Sequence, residues 1–367
     1  MQYKKAPTMK DVAMEAGVAL GTVSKVVNGK PVGEEYEKKV RDAIKKLNYQ
    51  VNSYAQGLKA SKTYTVAVIV PTTNFPYYGS LAFFLNKSLY DRNYRMLLCC
   101  SDFDPGREQE YIEMARQNKV DGIIGLTYNP DLVIPKEVPF VSVDRYFDSS
   151  VPCVASDNFL GGQLAAEKLV ELGCTRVAFL RQGSSLKNEP NKRMAGFENG
   201  CLIHNIPYDI KMVDDGVPVS VFSDFLVDHF HDGKLDYDGI FCVTDKLAWE
   251  VQIMLEEMGL RVPEDVQLIG YDGIRNFGYK DYICSTIVQP VPEIAEMCAE
   301  LIVQDTRRMQ PQLVCLPVEY VPGGTTKDSD PRCHRSNGSV FYSYLSPTAQ
   351  AKLQEMRGAG GDTAQEV

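Results

Sequence analysis

Thr8-Met9-Lys10-Asp11-Val12-Ala13-Met14-Glu15-Ala16-Gly17, continued by Val18-Ala19-Leu20-Gly21-Thr22-Val23-Ser24-Lys25-Val26-Val27-Asn28-Gly29, decides how this chain is read. The first half predicts a short helix that Thr8 caps, with Asp11 three residues on returning the bond as in a capping box. Gly17 permits the sharp turn that follows. The second half predicts another helix, stopped by Gly29. A third, over 34–47, places Val40, Ile44 and Leu47 on one face. Val12, Ala16, Val18, Val23 and Val27 are the expected interior. Three short helices with a tight turn between the first two describe a helix-turn-helix. Its second helix would lie in a DNA major groove, with Leu20, Gly21 and Lys25 at base edges. Lys25 suits guanine O6 and N7, and Leu20 suits a thymine methyl. Thr8, Thr22, Ser24 and Asn28 suit phosphates, which position without specifying. A small helical bundle without a ligand would share the pattern.

Outward from this head, charge divides the chain. Residues 1–62 hold 12 Lys/Arg and 6 Asp/Glu, a balance of +6, whereas the remainder stands at −15. A basic head on an acidic body suits contact with a polyanion at the head alone. The 367 residues suit two or three domains. No apolar run approaches the ~18 residues of a membrane span, and the N-terminus shows no secretory pattern, so a cytoplasmic location is expected. The ten cysteines include no C-x-x-C pair and read as small buried hydrophobes.

The quoted run resembles the DNA-binding head of the lactose/galactose repressor family. The likeness continues through Asn52-Ser53-Tyr54-Ala55-Gln56-Gly57-Leu58-Lys59, which is similar to that family's hinge helix. The resemblance implies that Asn52, Ala55, Leu58 and Lys59 meet DNA. Leu58 matches the leucine that wedges into the minor groove from each of two subunits and kinks the duplex. Gln56 stands where the family often has arginine. Gly57 weakens the helix by up to ~1 kcal/mol, which agrees with a hinge that orders only on DNA.

From Tyr64 onward, apolar strands alternate with helices. Strands are expected at 65–71, 94–100, 121–126, 140–143, 176–180, 239–243 and 266–270. Helices are expected at 106–118, 159–172, 191–204, 246–258 and 292–308. Such alternation means parallel sheets covered by helices, here two sheets in two lobes. Open parallel sheets bind ligands beyond the carboxyl ends of their strands. Asn74, Phe75 and Tyr77 follow the first strand, and Asp144 and Arg145 the fourth. Asp157, Thr244, Asp272 and Gln289 follow others or lie near a crossing between lobes. Taken singly, each also suits a helix cap or turn. Together they offer carboxylates, amides and a guanidinium that fork hydroxyl groups, beside rings that stack on sugars.

The body also resembles the family's effector domain, which is similar to periplasmic sugar-binding proteins. The matching stretches include Val138–Arg145, Ser156-Asp157-Asn158, Arg193-Met194-Ala195-Gly196-Phe197 and Gly270-Tyr271-Asp272. The resemblance implies that Arg193 and Asp272 reach the ligand. Thr244 departs from the family's usual asparagine.

The resulting expectation is an all-α helix-turn-helix head (1–50), a hinge (51–62) and a two-lobed α/β body (63–327). The N-lobe takes about 63–160 and 290–322, the C-lobe about 161–289. A flexible tail (328–367) carries one short helical stretch near 347–356. The expected function is a repressor of transcription controlled by a small molecule, with a sugar favoured and a purine or nucleoside as the alternative. The partners are near-palindromic operator DNA and a second copy of the chain. A solute-binding protein with this body is the rival from another class. Catalysis is not expected: G-x-S-x-G, Walker and G-x-G-x-x-G motifs are absent, and Gly323-Gly324-Thr325-Thr326-Lys327 lacks the spacing of a phosphate loop. No cofactor or metal is expected, since His229 and His231 are two apart and do not share a helix face.

Overall fold

The structure is a computed structural model that describes residues 7–49, 62–129, 131–145, 151–183, 188–275, 282–304, 312–328 and 345–359. The chain divides into two units, Met1–Thr63 and Tyr64–Val367.

In the first unit, α1 (Met9–Ala16), α2 (Leu20–Val27) and α3 (Glu34–Leu47) pack around Val12, Val23, Val40 and Ala43. The capping box forms: the Asp11 amide donates to Thr8 Oγ1 at 3.4 Å, and the Thr8 amide donates to Asp11 Oδ2 at 2.7 Å. Such a cap is worth about 1 kcal/mol. Gly17 turns the chain at φ 62°, in the left-handed region. Tyr49, beyond the expected third helix, closes the core at 8% exposure. Its place shows only once the chain turns back at Asn48, φ 48°.

The second unit holds two sheets. In the N-lobe, β1 (Thr65–Val70), β2 (Arg95–Cys100), β3 (Gly122–Gly125), β4 (Phe140–Val143), β5 (Cys153–Ser156) and β13 (Leu313–Leu316) run parallel in the order β13-β5-β4-β3-β1-β2. Successive residues of β1 feed opposite faces. Val66, Val68 and Val70 join Leu81, Leu85 and Ile294 on one side. Ala67 and Ile69 join Ile112, Ile123 and Phe140 on the other. Helices α4 (Pro76–Asp91), α5 (Pro105–Gln117) and α10 (Val291–Val303) supply those layers.

In the C-lobe, β6 (Val177–Gln182), β7 (Tyr208–Val213), β10 (Gly239–Cys242), β11 (Gln267–Asp272), β12 (Thr286–Val288) and β14 (Glu319–Val321) take the order β14-β12-β11-β10-β6-β7. The remaining pair, β8 (Phe230–His231) and β9 (Lys234–Leu235), is a small separate hairpin. Phe179, Phe197 and Phe241 meet at ring-centre distances of 5.3–5.8 Å in this lobe's core. The lobe's helices are α6 (Asn158–Glu171), α7 (Lys192–Ile203), α8 (Val221–Asp228) and α9 (Asp245–Met258). Glycines bring α6 and α7 unusually close. A Cβ on Gly162 would sit 1.9 Å from Arg193 O, and one on Gly196 would sit 1.9 Å from Phe159 O.

The sheets depart from expectation in four ways. The strands β5, β7, β12, β13 and β14 were not read in the sequence. β5 and β13 are apolar but only four residues long, β12 and β14 are three, and β7 is a half-exposed edge whose Asp209 and Lys211 interrupt its apolar residues, so none carries the long continuous apolar run of a buried parallel strand. The C-lobe sheet is mixed, because β14 runs antiparallel to β12. That places residues 319–321 in the C-lobe rather than the N-lobe. Residues 323–326 follow them: Ser285 donates through its amide to Thr325 Oγ1 at 2.8 Å, and Leu268 donates to Thr325 O at 2.8 Å. The Gly-Gly-Thr-Thr run thus mends a sheet edge. Finally, α4 begins at Pro76, inside what read as a loop after the first strand.

The tail expected to be flexible carries a docked helix, α11 (Pro347–Ala359). Leu345, Ala349 and Leu353 are buried in the C-lobe core. The Ser346 amide donates to Ser223 Oγ at 2.9 Å, and Lys352 pairs with Asp228. Among the described residues, no helix is long and apolar enough to cross a membrane.

Candidate functional site

The first site is the outer face of α2. Leu20 is 44% exposed, and Gly21, Lys25 and Asn28 share solvent with it; Thr22 and Ser24 are half-buried. Nothing lies within 4 Å of a Cβ built on Gly21. A helical glycine is about 1 kcal/mol worse than alanine, so packing within the head does not call for it. Two of the expected phosphate-binding groups are already engaged. Thr8 Oγ1 donates to Asp11 Oδ2 at 2.7 Å, and Asn28 Nδ2 donates to Ser24 O at 2.6 Å. Asn52, Ala55, Leu58 and Lys59 lie outside the described residues.

The second site is a cavity of about 320 Å³ between the lobes of the body. From the N-lobe, Phe75, Tyr77, Asp144 and Arg145 line it, as expected of the strand ends. From the C-lobe and the crossings come Arg193, Thr244, Asp272 and Gln289. Asn74 is exposed and lines none of it. Asp157 is also outside it: its carboxylate accepts the Leu160 amide at 3.0 Å and caps α6. Thr244 does both jobs, lining the wall while its hydroxyl caps α9 at Leu247 N, 3.2 Å away.

Each inner side chain is fixed by a neighbour. Arg193 is 4% exposed. Its Nε donates to Asn158 Oδ1 at 2.7 Å and its Nη1 donates to Val243 O at 2.7 Å. The guanidinium lies 3.5 Å over the Tyr271 ring and 3.9 Å from Asp272 Oδ1. Gln289 Nε2 donates to Asp272 Oδ1 at 2.8 Å while Ser156 Oγ donates to Gln289 Oε1 at 2.8 Å. These bonds join two of the three strands of chain that pass between the lobes. Across the cavity, Tyr77 OH donates to Asp144 Oδ2 at 2.8 Å. Asp144 Oδ1 and Asp272 Oδ2 are buried and have no partner, as is Arg145 Nε. Burial raises the Asp144 carboxyl, and pushes that of Asp272 up to about 8 against the pull of Arg193. Two open carboxyl oxygens and an open guanidinium N–H are a set of hydrogen-bonding groups for a polyhydroxylated ligand.

Sequence reasoning missed several members. Tyr78, Phe103, Tyr128 and Arg181 also line the cavity. Tyr128 stacks under Arg145 at 3.8 Å and its hydroxyl meets that of Tyr78. Its position depends on Glu108, a buried helix residue that accepts the amides of Tyr128 and Asn129 at 3.1 and 3.2 Å. A glutamate in a helix reads as a solvated face, so no local signal marked it. Asp245, which read as an ordinary helix start, is a buried brace: it accepts from Thr286 Oγ1 and from the Ile274 amide at 2.6 Å each.

A three-helix head of helix-turn-helix order, followed by a two-lobed body around a cavity lined by charged and aromatic side chains, defines a ligand-responsive regulator of transcription. The comparisons agree. Residues 8–52 match the bacterial regulatory proteins of the lacI family, and residues 166–326 match the periplasmic binding protein-like domain. The sucrose operon repressor of Pediococcus pentosaceus is 31% identical over 335 residues, covering 87% of this chain and 99% of that one. The ribose operon repressor of Escherichia coli (strain K12) is 31% identical over 327 residues, covering 86% and 97%. The crystal structure of the lac repressor dimer bound to operator and the anti-inducer ONPF shares the fold, with a TM-score of 0.73 at 21% identity, covering 86% and 98%. The chain belongs to the lacI family of bacterial regulatory proteins.

Proposed function

We propose that this regulator represses transcription by gripping a near-palindromic operator as a homodimer, and that a sugar in the body's cavity sets the strength of that grip. The carrying observation is the pair of open carboxyl oxygens, Asp144 Oδ1 and Asp272 Oδ2, in residues that line one cavity beside the fixed Arg193. Carboxyl groups, charged or protonated, hydrogen-bond the hydroxyls of a sugar, and Phe75 and Tyr128 offer rings for its apolar face. The names of the relatives tie those proteins to sucrose and ribose operons. In the head, Leu20 and Lys25 read bases while the lysines supply salt-dependent affinity.

A second copy fits the N-lobe edge. The strand β2 ends its sheet with Leu98 exposed, and Phe83 and Tyr90 stand out from the adjoining α4 at 64% and 76% exposure. Two heads held by a two-fold axis match two half-sites. Ligand shifts the lobes, and the effect on DNA equals its differential affinity for the two states, about 1–3 kcal/mol for such couplings. The protein acts in the cytoplasm, as a binding protein without catalysis.

The test is a gel-shift titration of the full chain against duplexes from its own genome. One or more near-palindromic sites should bind specifically, and Leu58→Ala should weaken binding more than tenfold. Equal affinity for all duplexes, or an unaffected Leu58→Ala variant, contradicts the reading.

A further inference from the structure

Gly270 stands inside β11, where a glycine weakens a strand and marks a close approach. What approaches is Asp245. A Cβ on Gly270 would sit 2.3 Å from Asp245 Oδ1 and 2.8 Å from Cys284 Sγ, so the missing side chain makes room for a carboxyl group against the strand. Asp245 is the first residue of α9 and is 0% exposed. Its neighbours Thr244 and Lys246 line the cavity, and Asp245 itself does not. An acid that only favoured the helix start would do so from the surface; burying one is costly unless hydrogen bonds compensate it.

The compensating bonds reach the chain on both sides of the step from β11 to β12. Asp245 Oδ2 accepts the Ile274 amide at 2.6 Å. Oδ1 accepts from Thr286 Oγ1 at 2.6 Å and from Cys284 Sγ at 3.4 Å. Thr286 Oγ1 in turn accepts the Gly273 amide at 3.2 Å. Residues 273 and 274 are thus tied to one carboxyl group, and the residue before them is Asp272 of the cavity wall. The Asp272 backbone stands at φ 131°, where glycine is favoured, and Gly273 follows at φ 76°. A residue with a side chain keeps such a conformation only where its surroundings enforce it. The Asp272 side chain lies beside Arg193, accepts from Gln289 and carries the open Oδ2.

We propose that Asp245 is a positioning residue of the effector site: through Thr286 and the Ile274 amide it enforces the turn at 272–274 that sets the Asp272 carboxyl in the cavity wall. Effector affinity then depends on a carboxyl group that the effector does not touch. The same bonds tie the start of α9, with Thr244 and Lys246, to the end of β11, so two parts of the wall move together. This rests on the cavity being the effector site, whereas the brace is open to test without any ligand.

The experiment is a set of thermal melts of the full chain carrying Asp272→Gly or Asp272→Ala, each with Asp245 intact and in the Asp245→Asn background. Asp245→Asn keeps the shape and replaces one acceptor with a donor. Both substitutions at 272 remove the carboxyl, so their difference reads the backbone. With Asp245 intact, Asp272→Gly should melt about 2–4 °C above Asp272→Ala. In the Asp245→Asn background it should melt no higher, because a glycine that nothing constrains loses more chain entropy on folding than alanine. Thr286→Val repeats the comparison should Asp245→Asn not fold, and Thr286→Ser should restore the glycine advantage. The proposal is overturned if Asp272→Ala melts as high as Asp272→Gly with Asp245 intact, or if the glycine advantage survives both Asp245→Asn and Thr286→Val. A second measurement is calorimetric titration with whichever of sucrose, ribose, glucose and fructose raises the parent's melting temperature most. Asp245→Asn should weaken that binding at least tenfold, and an unchanged affinity also overturns the proposal. A parent indifferent to all four sugars counts against the sugar reading, and the melts then decide the brace alone. Operator binding, read separately by gel shift, tests the regulator reading independently of both.

Discussion

Arg193 Nε donates to Asn158 Oδ1 across 2.7 Å, and through this bond the first residue of α6 aims the guanidinium at the cavity. Asn158 Nδ2 donates to Ser156 O at 2.9 Å, and Ser156 in turn holds Gln289 on another crossing strand, so the Arg193 guanidinium is anchored where the lobes join. Asn158→Ala leaves Arg193 Nε without that acceptor. The loss of a buried hydrogen bond to a charged group is worth about 1.5–3 kcal/mol. Effector affinity should fall by about 10- to 100-fold in a calorimetric titration. An unchanged affinity would remove Asn158 from the positioning of Arg193.

Gly196 is held against Phe159 O so closely that no side chain fits. Gly196→Ala must push α7 off α6, at about 1–3 kcal/mol for overpacking. A lowered melting temperature together with weakened effector binding is expected, since Arg193 rides on the first turn of α7. A variant that melts like the parent would show that the two helices part without strain.

Asp272 makes stability depend on pH. Its folded carboxyl stands at about 8, above an unfolded value of about 3.9. The folded protein therefore binds more protons between about pH 4 and 8, and stability falls as pH rises through that window. Asp245, raised to about 6 by burial, adds in the same direction over the lower part. Without ligand, Asp272→Asn should lose less stability than the parent between pH 5 and 8 in thermal melts. A steeper loss would contradict a raised Asp272 carboxyl.

Leu353, on the inner face of α11, is 4% exposed in the C-lobe core. Leu353→Ala should cost about 2 kcal/mol, the lower end for a buried leucine because a terminal helix can partly collapse onto the gap. Chemical denaturation reads the difference. No change would return the helix to the status of a free tail.

The head was legible almost to the residue. Its helices depend on local signals, namely Thr8 with Asp11 at one end and Gly17 at the other, which act within a few residues. The buried strands of the body were legible for a related reason: both faces of Thr65–Val70 are covered, so the run is continuously apolar. Edge strands such as Tyr208–Val213 carry no such run. The cavity was half legible. Asp144, Arg193 and Asp272 sit at strand ends or in a matched motif, whereas Arg181, Tyr128 and Glu108 acquire their roles only when distant segments meet. Asp157 misled because a cap and a ligand contact call for the same residue at the same place.

In the proposed function, occupancy of the cavity sets the grip on DNA. Its most direct test is fluorescence anisotropy of a labelled operator, titrated with the full chain in the presence and absence of the sugar that raises its melting temperature. The parent should change operator affinity by about 5- to 150-fold on adding ligand, while Arg193→Ala should bind the same operator and ignore the ligand. An operator affinity that is indifferent to ligand in the parent, or an Arg193→Ala chain that responds at the parent's ligand concentration, would contradict the account.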